Sequence, residues 1–126
     1  FLLPLLYPFR RKKVANSIKK NEDYQKVYHS GKSYANKYLV MYVKKNESET
    51  GRLGISVSKK VGNSVVRHRI ARLIRESYRL NESKFHSGWD IVVIARQGAK
   101  GRNYFEIESA MLHLAKLHKL LCEVSN

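Results

Sequence analysis

From Ile18 onward the apolar residues recur at spacings that mark out elements one after another. Tyr24, Val27 and Tyr28 share one face at helical spacing. Asn21 stands ahead of them as a candidate N-cap, Glu22 and Asp23 suit the positive end of the helix dipole, and Gly31 offers a left-handed stop. Residues 37–44, KYLVMYVK, form a β-prone run that is apolar or aromatic on both faces. Leu39, Met41 and Val43 are assigned to the core, which leaves Tyr38, Val40 and Tyr42 beside the first helix. A polar loop over 46–50 closes at Gly51, and Leu53, Ile55 and Val57 then alternate with Gly54, Ser56 and Ser58 as a half-buried strand.

A second helix is predicted over about 64–80, with Val66, Ile70, Leu73, Ile74 and Tyr78 as its apolar stripe. Gly88, Trp89 and Asp90 introduce a strand over 91–96. Asn103 and Glu106 have the spacing of a capping box for a last helix that buries Ile107, Ala110, Met111, Leu114 and Leu121. The order α-β-β-α-β-α, with a strand-helix-strand unit from Leu53 to Arg96, predicts an α/β or α+β sandwich with at least one parallel strand pair.

Charge changes the picture. Lys and Arg number 25 against 10 Asp and Glu, a formal +15. Self-repulsion of that size calls for a polyanionic partner, and nucleic acid is preferred over an anionic membrane. A length of 126 residues and 43% hydrophobic content suit a single domain. The lone Cys122 rules out an internal disulfide or a cysteine-rich zinc site and fits a cytoplasmic setting. Residues 1–9 are apolar with two prolines and precede the basic run 10–13. That order is the reverse of a signal peptide, and the run is too short for a membrane span. Residues 1–12 are therefore read as an extension outside a domain spanning 13–126.

Cations cluster around the glycine-containing turn before the second helix: Arg52, Lys59, Lys60, Arg67, Arg69, Arg72 and Arg75, with Glu76 the only acid between Gly51 and Asn81. Lys59, Lys60 and the amides at the helix start form a candidate phosphate cradle, which the arginine forks extend. Independent catalysis has little support. His29, His68, His86, His113 and His118 show no spacing that pairs them, and HExxH, carboxylate-cluster and Walker-type motifs are missing. A ribosomal protein or a DNA-binding module remains as an alternative, although the glycine turn is unlike a helix-turn-helix.

Residues 52–76, RLGISVSKKVGNSVVRHRIARLIRE, resemble the signature of the bacterial ribonuclease P protein family, the RNR motif. The resemblance extends to KNEDYQKVY at 20–28, to 31–42 and to DIVVIAR at 90–96, covering about 13–121. His68 stands where the family usually has Asn, and Ser64 where Ala is usual. The resemblance implies a four-stranded mixed sheet packed with three helices, with a left-handed crossover around the signature helix. It also implies partnership with a catalytic RNA that removes the 5′ leader of precursor tRNA by magnesium-dependent hydrolysis. The Mg²⁺ would be held mainly by that RNA, and no obligate protein partner is implied. Arg52, Lys59, Lys60, Asn63, Arg67, His68, Arg69, Arg72 and Arg75 would dock the catalytic RNA. Tyr24, Tyr28, Val40 and Tyr42 would line a groove for single-stranded leader, with Ala35, Asn36 and Lys37 at its mouth. Without the resemblance, those four groove residues read equally well as ordinary core.

Overall fold

The structure, a computed structural model, describes residues 17–122. The expectation for residues 1–12 lies outside the described residues. The chain runs α1 (Asn21–Ser30), β1 (Lys32–Ala35), β2 (Leu39–Lys45), β3 (Arg52–Ser56), α2 (Ser64–Asn81), β4 (Trp89–Ala95) and α3 (Tyr104–Leu117). Four strands form one sheet in the order β1-β2-β4-β3. The β1–β2 and β2–β4 pairs are antiparallel and β3–β4 is parallel, so the sheet is mixed as expected. Parallel neighbours need a long crossover, and the 18-residue α2 supplies it.

Alternation along the strands divides the sheet into two unequal faces. On one, Leu39, Met41 and Val43 of β2 join Ile91, Val93 and Ala95 of β4 and Leu53 of β3. Ile70, Ile74 and Tyr78 from α2 and Ile107, Met111 and Leu114 from α3 close over them to make the main core. The other face carries only α1. A small cluster of Ile18, Val27 and Val92 is buried there, with Tyr24, Tyr28, Tyr42 and Ile94 packed half-exposed around it. Among the described residues no helix is long and apolar enough to cross a membrane.

Several expectations need correction. The strand β1 has no counterpart in the predicted elements. Its four residues are all exposed, so burial leaves no period-two signature, and its place comes from backbone pairing with β2, as in Lys32 opposite Val43. Asn21 is not the cap of α1: the N-cap is Lys20, without a side-chain hydrogen bond, and Asn21 is the first helical residue. Gly31 is extended, with φ −88°, and is needed for a different reason. A Cβ there would lie 2.5 Å from both the Val27 and Val43 carbonyl oxygens.

The strand β2 starts at Leu39 rather than Lys37. The Asn36 side-chain oxygen accepts from the Tyr38 and Leu39 amides (3.1 and 3.0 Å), a local turn that competes with the ladder. Tyr38 consequently packs against the main core and not beside α1. β4 begins at Trp89, two residues earlier than predicted, because Lys45 and Lys44 of β2 pair with Trp89 and Asp90. Leu121 lies beyond the end of α3, half-buried in an isolated bridge to Phe85.

Candidate nucleic-acid interface

The incompletely covered face of the sheet carries a row of aromatic rings. Tyr24 crosses β3 where it has no side chain: a Cβ on Gly54 would come within 2.7 Å of the Tyr24 ring. Tyr28, one helical turn later, lies 6.4 Å from Tyr24 and meets Tyr42 edge-on at 5.1 Å and 74°. Burial pushes the Tyr28 hydroxyl above its ordinary pKa, Tyr24 and Tyr42 add to the rise, and a hydrogen bond with Ser56 opposes it. The next row of the sheet is set by register: Ala35 opposite Val40, Val40 opposite Ile94, Ile94 opposite Ser56. Val40, Ile94 and Ser56 are half-buried, so this row continues the tyrosines as an open floor, apolar at Val40 and Ile94 and polar at Ser56. Ile94 and Ser56 were missed from sequence. Alternation put Ser56 on a face and the unbroken apolar run of 91–95 left Ile94 unassigned, and which strands lie side by side, and in what register, is not a local property.

Past that row the floor ends in cations. Lys37, Lys60 and Arg96 converge with Ser58, Gln97 and Gly98 around a depression of about 340 Å³ at the sheet end where β3 and β4 finish. Arg96 was also missed; it donates to the Asn36 carbonyl at 2.8 Å, which ties the end of β4 to the β1–β2 turn. Lys37 is exposed at the mouth, its ammonium 5.7 Å from the Tyr38 ring. The Asn36 side chain faces the other way. Besides its turn bonds it donates to the Ala110 carbonyl of α3 at 3.1 Å and lies 3.2 Å from His113 Nδ1. Asn36 therefore shapes the mouth from behind, and its amide is not directed at a strand in the groove. Ala35 is exposed beside Val40.

The expected docking cations fall into distinct groups. Lys59 and Lys60 are exposed on the turn leading into α2. Asn63 caps the helix, its side-chain oxygen accepting from the Val66 amide at 3.0 Å. Gly62 makes room for this approach, since a Cβ there would sit 2.7 Å from Val66. Arg67 donates through Nε to the Gly62 carbonyl and Arg69 through Nη1 to the Arg102 carbonyl (3.2 and 3.1 Å), which holds both side chains near the start of α2. His68, Arg72 and Arg75 are exposed along one line of the helix, opposite the line of Ile70, Ile74 and Ser77 that faces inward.

Arg52 is the correction in this set. Its Nε and Nη2 donate to the two Asp90 carboxylate oxygens (2.9 and 2.6 Å), and Nη1 reaches Asp23 at 3.3 Å. Asn46 donates to Asp90 as well, at 2.8 Å. The bond to Asp90 raises the Arg52 pKa above its ordinary value. Burial alone would push Asp90 up, but hydrogen bonds from Arg52 and Asn46 and the charges of Arg52 and Lys44 outweigh it and hold the carboxyl low. Three of the five Arg52 N–H donors are thus taken up in joining α1 to the sheet, which sets Arg52 apart from the exposed cations of α2. Among the described residues no group of three or more His, Cys, Asp or Glu is placed to hold a metal ion.

A family model described as Ribonuclease P matches residues 13–119. The chain is 67% identical over 108 residues to the ribonuclease P protein component of Lachnoclostridium phytofermentans, covering 86% of this chain and 93% of that one. It is 55% identical over 106 residues to that of Alkaliphilus metalliredigens, covering 84% and 96%. Among solved structures, the Staphylococcus aureus RNase P protein superposes with a TM-score of 0.79 at 44% identity, over 86% of this chain and 100% of that chain. The RNase P protein from Thermotoga maritima gives 0.75 at 30% identity, over 81% and 96%.

Proposed function

The chain belongs to the ribonuclease P protein family, and from that premise we propose that it serves the enzyme by docking the catalytic RNA through α2 and gripping the 5′ leader of precursor tRNA in the tyrosine-floored groove. As the protein component of ribonuclease P, it is part of the endoribonuclease that processes precursor tRNA 5′ ends. The family implies association with the ribonuclease P RNA subunit.

The observation that carries the groove assignment is the continuity of Tyr24, Tyr28 and Tyr42 with the half-buried Val40–Ile94–Ser56 row and then with the Lys37, Lys60 and Arg96 mouth. Single-stranded nucleic acid is held by this pairing of flat apolar surface with flanking cations, since bases stack while phosphates need countercharge. Stacking contributes about 1 to 3 kcal/mol per base. Only the precursor has a leader, so a leader grip favours precursor over mature tRNA.

On α2, His68, Arg72 and Arg75 offer the outward line and Lys59 and Lys60 the adjoining turn. Arginine forks suit phosphate oxygens, and their charges screen the repulsion between two folded RNAs. Magnesium bound mainly by RNA supplies the hydrolytic chemistry. The protein lowers the magnesium concentration needed, because its cations share the screening.

The test is cleavage of a 5′-extended precursor tRNA at low Mg²⁺ by the protein alone, by a bacterial ribonuclease P RNA alone, and by both. Activity only with both is the expected result. RNA binding without stimulation would instead point to a general RNA-binding role, and cleavage by the protein alone would overturn the division of labour.

A further inference from the structure

A second basic depression, of about 370 Å³, lies at the opposite end of the sheet from the cationic mouth and is not used by the proposed groove. Lys32, Lys44, Lys45 and Lys119 contribute to its lining, which holds no Asp or Glu. Among the described residues none of these lysines takes part in an ion pair. Lys32, Lys45 and Lys119, with no carboxylate in the lining beside them, raise the local potential and favour an anionic ligand, while Lys44 also acts on Asp90.

The same depression has aromatic walls. Trp89 is half-buried, with the Lys45 ammonium 5.6 Å from its ring, and Tyr34 is 45% exposed with one edge against His118 at 4.7 Å. The His118 Nε2 lies 2.9 Å from the Met41 carbonyl, fixing that wall to β2. Flat rings among lysines match the chemistry of a nucleotide, a base to stack and a phosphate to neutralise.

The edge strand connects this depression to the groove. Side chains of β1 alternate, so Ser33 and Ala35 share the face of their partners Tyr42 and Val40, while Lys32 and Tyr34 point to the other face. All four residues are exposed. A single strand leaving the Val40 row over Ala35 crosses the free edge of the sheet and comes down on Tyr34 and Lys32. Resting on the leader-groove reading, we infer that the Lys32–Lys119–Trp89 depression takes a distal nucleotide of the same single-stranded 5′ leader, wrapped around the β1 edge.

Trp89 is the only tryptophan of the chain and reports directly on this site. Precursor tRNAs with stepwise longer leaders are titrated into holoenzyme reconstituted from the full chain and a bacterial ribonuclease P RNA, under conditions that block cleavage. Trp89 emission should be quenched only once the leader exceeds a threshold length. The double substitution Lys32→Gln, Lys119→Gln should lower the ratio of long-leader to short-leader affinity several-fold. Quenching by the RNA subunit alone or by mature tRNA, or an unchanged affinity ratio, would overturn the assignment. Tyr28→Ala separates the two readings. If it weakens short-leader binding while the lysine pair has no effect, the groove stands and the distal site falls; if it has no effect at any leader length, both fall.

Discussion

Tyr28 and Asp90 show how little of a residue's task lies in its own identity. Tyr28 sits between Tyr24 and Tyr42 with its ring half-exposed, as a base-stacking platform requires. Tyr28→Ala is expected to weaken precursor tRNA binding by about 1 to 3 kcal/mol and to leave mature tRNA binding unchanged, as measured by paired binding isotherms. Asp90 works through charge. Its folded-state pKa is depressed, so its contribution to stability is fully present above the ordinary carboxylate value of 3.8 and is lost as pH falls through the lower folded-state value. Asp90→Asn should therefore flatten the acid limb of stability against pH in denaturant unfolding. At neutral pH it should cost about 1 to 2 kcal/mol, because Arg52 loses its closest counterion but stays part-exposed and keeps Asp23.

At the scale of elements, α2 divides its labour by face. The apolar stripe Val66, Ile70, Leu73, Ile74 and Tyr78 was legible because burial imposes a 3.6-residue period, and all five residues pack in or against the main core. The remaining circumference is free to carry His68, Arg72 and Arg75 outward. Arg72→Ala with Arg75→Ala should leave folding intact while lowering the salt slope of RNA-subunit binding by about 1 for each phosphate no longer neutralised, read from affinities over a salt series. The start of α3 was equally legible, since the Asn103 and Glu106 capping box closes within one turn and depends on nothing distant. β1 was not legible, because no face of it is buried.

For the whole molecule, with its formal +15, cations among the described residues form separate surfaces: the outer line of α2, the mouth at one end of the sheet and the lysine depression at the other. Repulsion among these cations opposes folding and is relieved by the same screening that weakens RNA binding. Raising the salt concentration should thus raise the Tm of the free protein while loosening its complex with the RNA subunit. Thermal melts and binding isotherms over one salt series check both signs together.

By itself the sequence determined the three helices, the central strands, most of the inward-facing residues of the helices and of β2, and the polyanionic partner, because period, capping and charge are local or summed properties. Tertiary structure decided which side chains stand next to one another. Ile94 and Ser56 join the tyrosine floor through strand register, and Arg96 reaches the mouth through its bond to the Asn36 carbonyl. Arg52, counted with the free cations from its place in the motif, is committed to Asp90 and Asp23, residues 38 and 29 positions away. Register and long-range pairing depend on how distant segments meet, and no local pattern of residues carries that information.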